Sequence, residues 1–257
     1  MKKFLLSIVA CVFAMSLNAQ NVARECVLFE VFTGVNCPYC PAAANGIVQL
    51  LEEGYAIAPV AIHTNAFSTA EFYTAETNAR ASYYGVTSYP TLKADGVISV
   101  SGGGSASESM YSTYLSRYNQ RINIPSPFTI DLSYQVVDNQ LQAVVTVNQV
   151  GECGGTDVRV FIALTQSHIQ RNWQGMTELN AVCRDLMPTQ NGTAYTGGEQ
   201  TVVENFSIAG YPREDCHLVA WVQNYSGSTK EVYQAKRIAL GDTVYPNDIV
   251  IGSVSEY

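Results

Sequence analysis

Two cysteines separated by a Pro-Tyr dipeptide, Cys37-Pro38-Tyr39-Cys40, can close and open a disulfide, and their setting points to redox chemistry. An apolar, strand-like run, Val27-Leu28-Phe29-Glu30-Val31-Phe32, leads in, and a helix-forming stretch follows. A thiolate at Cys37 would lie at a helix N-terminus, where unpaired N–H groups and the positive end of the helix dipole favour the anion and lower its pKa. Cys37 is therefore the expected nucleophile. Cys40 is placed to attack any mixed disulfide formed at Cys37 and release the partner. Pro38 suits the first helical position, because its missing N–H would have no acceptor there.

Two other chemistries compete for the same pair. A zinc site needs a second ligand pair, and the chain has no other CxxC and no HxxxH among its three histidines, His63, His168 and His217. No metal and no cofactor is therefore expected. A static disulfide stays open, since short-loop cystines also occur in secreted proteins that do no chemistry.

Downstream, Tyr84-Gly85-Val86-Thr87-Ser88-Tyr89-Pro90-Thr91-Leu92 runs into Lys93-Ala94-Asp95-Gly96 and a further apolar strand. With the CxxC at a strand-to-helix junction, this resembles the thioredoxin-like superfamily. The resemblance implies a cis Tyr89–Pro90 bond lining the active site against the two cysteines, with Tyr39 and Tyr89 beside them. Asn36 stands where thioredoxins carry tryptophan, and the Pro-Tyr dipeptide is that of glutaredoxins, so donor specificity does not carry over. Glu30 lies near the position where thioredoxins bury an acid that helps deprotonate the second cysteine. A solvated strand carboxylate is the alternative.

Met1-Lys2-Lys3, the apolar run Phe4 to Leu17 and Asn18-Ala19 before Gln20 form the pattern of a removable signal peptide over residues 1–19. Ile8-Val9-Ala10-Cys11 mimics a lipoprotein cleavage box, yet the apolar run continues past it, which places Cys11 inside the leader's core; lipidation there stays open. No later run approaches the roughly 20 apolar residues of a spanning helix, so the mature chain is expected to be exported without a transmembrane segment. The formal net charge of −8 becomes more acidic once the leader's two lysines are gone, which argues against a nucleic-acid partner. Beyond the leader stand Cys26, Cys37, Cys40, Cys153, Cys183 and Cys216. An even number in an oxidising envelope points to disulfides, although buried cysteines also serve as small apolar residues.

Texture changes near Asn123-Ile124-Pro125-Ser126-Pro127. Before it, strands are expected over Cys26–Thr33 and Ala56–His63, helices over Pro41–Glu53, Thr69–Tyr84 and Ser105–Asn119, and a hairpin over Thr91–Val100, an α/β pattern. After it come strands over Phe128–Val137, Gln140–Val150, Val158–Thr165, Val202–Ile208, His217–Asn224 and Glu231–Leu240, the pattern of an antiparallel, immunoglobulin-like β-sandwich. The expected organisation is a thioredoxin-like domain over 20–123 and an all-β sandwich over 124–257. The connection Gln166–Gly198 is long for a sandwich, which marks it as a functional loop or the carrier of a short helix.

Glu30-Val31-Phe32-Thr33-Gly34 running into Cys37-Pro38-Tyr39-Cys40-Pro41, with Glu178-Leu179-Asn180-Ala181-Val182-Cys183-Arg184 and Gly192-Thr193, is similar to the 28-kilodalton outer-membrane protein family of Gram-negative envelopes. That resemblance implies a thioredoxin-like domain fused to a sandwich in the periplasm or at the outer membrane or cell surface, with peripheral membrane association open. A membrane barrel is not implied, because a helical first half cannot supply the strands.

His63, closing the second strand, is a candidate proton carrier for the thiols or a strand-end hydrogen-bonding group. Phe67, Phe72, Tyr73, Tyr83 and Tyr84 could line a peptide groove, although their helical spacing favours core packing. The expected function is thiol–disulfide exchange on envelope protein thiols or disulfides through Cys37 and Cys40. The rival is a surface binding or adhesion protein with an inert disulfide.

Overall fold

The computed structural model describes residues 20–241 and 250–251; the expected leader with Cys11 lies outside the described residues. The first half runs β1 (Val27–Thr33), α1 (Pro41–Glu52), β2 (Ile57–His63), α2 (Ala75–Tyr83), β3 (Thr91–Ala94), β4 (Ile98–Ser101) and α3 (Tyr111–Arg121). The second half is β5 (Phe128–Val137), β6 (Gln140–Gln149), β7 (Val158–Gln166), β8 (Ile169–Trp173), β9 (Met176–Leu179), β10 (Val182–Met187), β11 (Thr193–Ala194), β12 (Glu199–Ser207), β13 (Cys216–Asn224), β14 (Val232–Ala239) and β15 (Val250–Ile251).

β1 and β2 pair in parallel from Val27↔Ile57 to Thr33↔His63, with α1 as the crossover that parallel neighbours require. β3 adds antiparallel on the other side of β1, and β4 follows as a hairpin. β1 is buried along its whole length, which is why its apolar run does not alternate. Val27, Phe29 and Val31 pack beneath α1 and α3, with Ala43, Ile47, Leu50 and Tyr114. Leu28 and Phe32 face the other way, toward Ala81 of α2.

The sheet does not stop at the change of texture. β10 pairs in parallel with β2 through Val182↔Ala61, and the order continues to a nine-stranded sheet, β14-β13-β7-β10-β2-β1-β3-β4, with β11 on β7. A second sheet, β12-β6-β5-β15, lies against the β7/β13 end. Between them sit Ile130, Leu132, Val145, Val147, Ile162, Leu164, Leu218 and Ala220. The reverse face of β7 and β13, with Phe161, Ala163, Val219 and Trp221, joins the core beneath α2. These two strands are therefore covered on both faces, and β7 does not read as the alternating, one-sided strand expected of a free-standing sandwich.

Two expectations shift. α2 begins at Ala75 because Thr74 caps it, its hydroxyl accepting from the Thr77 N–H while the Thr77 hydroxyl accepts from the Thr74 N–H. α3 begins at Tyr111 because residues 105–110 are drawn onto α1: the Met110 N–H donates to the Ala42 carbonyl at 2.9 Å, and Asn45 donates to the Ala106 and Glu108 carbonyls at 3.0 and 2.8 Å. The long 166–198 connection carries no helix. It holds the β8–β9 hairpin, a separate two-stranded sheet, followed by β10 and β11.

Candidate functional site

Gly34 ends β1 against Phe67, leaving no room for a Cβ, and the Asn36 N–H donates to the Phe67 carbonyl at 2.8 Å. That turn delivers Cys37 to the start of α1. Cys37 and Cys40 are joined in a disulfide with Cα atoms 5.5 Å apart. The helix opens at Pro41 with Cys40 as its N-cap, so Pro41, not Pro38, holds the position whose N–H has no acceptor. Pro38 lies in the turn between the cysteines. Cys37 sits just ahead of the first turn of α1, which carries no acid, and whose Ala42 N–H donates to the Gly104 carbonyl at 3.1 Å while the Ala43 and Ala44 N–H groups donate to the Cys40 carbonyl at 3.1 and 3.2 Å.

The Pro90 loop abuts this turn. Tyr89–Pro90 is cis, the Gly102 N–H donates to the Pro90 carbonyl at 2.9 Å, and the Gly104 N–H donates to the Tyr39 carbonyl at 2.9 Å. Gly103 lies between them, where a Cβ would strike the Tyr39 carbonyl and stand 2.7 Å from Pro90 Cγ. Tyr39 is 62% exposed. Tyr89 accepts a hydrogen bond from the Thr64 hydroxyl at 3.0 Å and packs on Phe67 at 5.2 Å between centroids.

His63 closes β2. It is buried, its Nδ1 pairs with the Ser68 hydroxyl at 2.9 Å, and burial with the nearby Arg184 guanidinium pushes its pKa down to about 3. Burial therefore disfavours its imidazolium form. Glu30 is neither solvated nor an acid free for Cys40. It is fully buried, and its oxygens accept from Arg80 Nε at 2.6 Å, Arg80 Nη2 at 2.9 Å and the Tyr84 hydroxyl at 2.8 Å. The aromatic set divides: Phe72 packs with the cysteines, whereas Tyr83 and Tyr84 stack around Arg80.

The other cysteines form no disulfides; Cys26, Cys153, Cys183 and Cys216 are free. Burial pushes the Cys26 and Cys183 thiols well above their ordinary range and Cys216 up to about 12. These thiols therefore serve as apolar side chains. Among the described residues no group of three or more His, Cys, Asp or Glu side chains could hold a metal ion.

Sequence reasoning missed the packing around the site. Cys37 and Cys40 share one buried cluster with Val35, Phe72, Trp173, Leu179 and Val182, so the β8–β9 hairpin belongs to the apolar packing that buries the disulfide. Cys37 is 1% exposed and Cys40 0%. Beside it, Trp173 and Leu179 also roof a narrow apolar cavity floored by Val31, Ile47, Ala61 and His63. The available signal was Gln174-Gly175 between apolar residues. Both adopt positive φ, 43° and 86°, as a two-residue hairpin turn requires.

No model of a known protein family matches the chain, and no curated protein matches it in sequence. Among solved structures, a domain of the outer membrane lipoprotein Omp28 from Porphyromonas gingivalis aligns at TM-score 0.35 and 15% identity over 45% of this chain and 88% of that one. A DUF3823 family protein from Bacteroides ovatus aligns at 0.30 and 16%, over 46% and 58%. Both alignments are too loose to speak for a common fold. HBP35 of Porphyromonas gingivalis aligns at TM-score 0.71 and 16% identity over 92% of this chain and 82% of that one, so the two share their overall fold.

Proposed function

We propose that this is an exported thiol–disulfide oxidoreductase with a thioredoxin-like first half, acting on protein thiols or disulfides of the cell envelope through Cys37 and Cys40. The observation that carries the reading is the Cys37–Cys40 disulfide at the mouth of α1, packed through Gly103 against the Pro90 loop. In the reduced form the helix N-terminus favours the Cys37 thiolate. That thiolate attacks a substrate disulfide, expelling one substrate thiolate, and Cys40 then attacks Cys37 Sγ, releasing the second and restoring the disulfide. The reverse sequence oxidises a substrate dithiol.

The second half is proposed to position this centre and to supply its cover. No helix among the described residues is long and apolar enough to cross a membrane, and peripheral association with the outer membrane is the proposed mode of attachment. Burial of both sulfurs favours a second reading, a surface binding protein whose disulfide is inert. Titration against glutathione buffers separates the two. An exchange couple lies above about −300 mV, the range below which structural cystines fall, and Cys40→Ser traps envelope proteins as mixed disulfides at Cys37. A potential below that limit with no trapped partner leaves the inert reading.

A further inference from the structure

One segment of the cluster that buries the sulfurs, the β8–β9 hairpin, is built as a separable piece. Among the described residues β8 and β9 pair only with each other, so lifting them breaks no rung of the large sheets. The residues flanking the hairpin, His168 and Ala181, both lie in the left-handed region, at φ 54° and 53°, where a hinge could absorb a backbone change, with Ala181 anchored to β2 by its carbonyl accepting from the Ala61 N–H at 2.7 Å. The polar fastenings are weak: at the tip Gln174 Nε2 donates to the Val35 carbonyl at 3.5 Å, and along β8 an exposed Arg171–Glu71 ion pair spans 3.2 Å. What holds the hairpin down is apolar: Trp173, 6% exposed, and Leu179, 3%, with Ile169 and Met176 packed alongside. A ligand shifts such an equilibrium only by binding the open form better. A small polar thiol gains nothing in the apolar cleft that the hairpin vacates, whereas a polypeptide segment with an apolar side chain replaces the burial lost.

We propose that the β8–β9 hairpin is a selectivity gate and that Trp173 is its specificity-determining residue, withholding the Cys37–Cys40 disulfide from small thiols and yielding to an apolar polypeptide segment that carries the reacting thiol. This rests on the oxidoreductase reading. The test is the rate of reduction of the full chain by dithiothreitol, followed by alkylation and mass. One dithiothreitol thiolate attacks Cys37 Sγ, and Cys40 leaves as a thiolate and takes a proton from water. The second dithiothreitol sulfur then displaces Cys37, leaving the cyclic disulfide. We expect the folded protein to react roughly 100-fold more slowly than the urea-unfolded chain, and Trp173→Ala to recover about tenfold or more of that rate with the reduction potential unchanged. Gln174→Ala with Arg171→Ala removes the hairpin's polar fastenings while keeping Trp173 and Leu179, and should speed reduction. Reduced, unfolded ribonuclease A should react faster per thiol with the native protein than glutathione does. Native reduction within a few-fold of the unfolded rate, or folded hairpin variants no faster than native, overturns the gate. Fast dithiothreitol reduction of the variants with no exchange by ribonuclease in any form sinks the oxidoreductase reading and the partner class, and leaves the hairpin as a cover alone.

Discussion

Arg80 is fully buried. It donates to both oxygens of Glu30 and to Gln223 Oε1 at 2.7 Å, and its guanidinium lies among the rings of Tyr83, Tyr84, Phe161 and Trp221 at 4.8–5.4 Å. Removing one partner leaves a buried charge alone, so Glu30→Gln should cost roughly 3–5 kcal/mol in urea denaturation, while Glu30→Gln with Arg80→Met should cost markedly less. Because the carboxylate is committed to Arg80, the pH profile of Cys40 alkylation in a folded Cys37→Ser background should be unchanged by Glu30→Gln, and a displaced profile would restore Glu30 as the acid for Cys40. Histidine burial sets a pH dependence of stability. His63 is held at about 3 and His217 at about 4, both below the ordinary value near 6.5, so below that pH the unfolded chain takes up protons that the folded chain refuses. Stability should hold above pH 7 and fall as pH drops from 6.5 toward 4, by up to about 1.4 kcal/mol per pH unit for each histidine. His63→Phe, if folded, should flatten the slope by one proton.

At the scale of elements, the site depends on close approach between turns. The turn before α1 and the loop leaving β4 meet at Gly103, and a methyl there strikes both the Tyr39 carbonyl and the Pro90 ring. Gly103→Ala should lower stability by about 1–3 kcal/mol and slow disulfide exchange more than a surface glycine change does; an unaffected variant would show that the two loops do not rely on each other. The strands around the free cysteines also explain why these do not pair. Cys183 on β10 lies opposite Thr165 of β7, and Cys216 on β13 lies opposite Gln166 of the same strand, so β7 stands between them. Alkylation in denaturant without reductant should label Cys26, Cys153, Cys183 and Cys216, and addition of reductant should add only Cys37 and Cys40.

At the scale of the whole molecule, the two textures of the chain share one sheet. Residues 20–123 alone would uncover the β2 edge that β10 occupies, the apolar face of Leu28, Phe32, Val60 and Ile62 that Phe161, Val219 and Trp221 cover, and the Arg80 guanidinium that Gln223 meets. That fragment should not unfold cooperatively by circular dichroism, whereas the full chain should melt in one transition. The physical reason is that the first half completes the burial of one face of its sheet with residues from the second, α2 covering only part of it.

Much of this was legible locally. The largely apolar β1, the Cys37-Pro38-Tyr39-Cys40 turn ahead of a helix, the Tyr89–Pro90 segment and the strands β5, β6, β7, β12, β13 and β14 announce themselves, because periodicity and turn chemistry act over a few neighbouring residues, whereas β8 to β11 do not. Periodicity reports that a side chain is buried, not what it is buried against. The Glu30–Arg80 pair, the free state of four cysteines, the buried His63 and the packing of Trp173 and Leu179 with the disulfide all depend on partners distant in sequence. The join of Val182 to Ala61 and the return of the β8–β9 hairpin onto α1 are long-range pairings that only the tertiary structure decided, and they turn an open CxxC motif into a closed one.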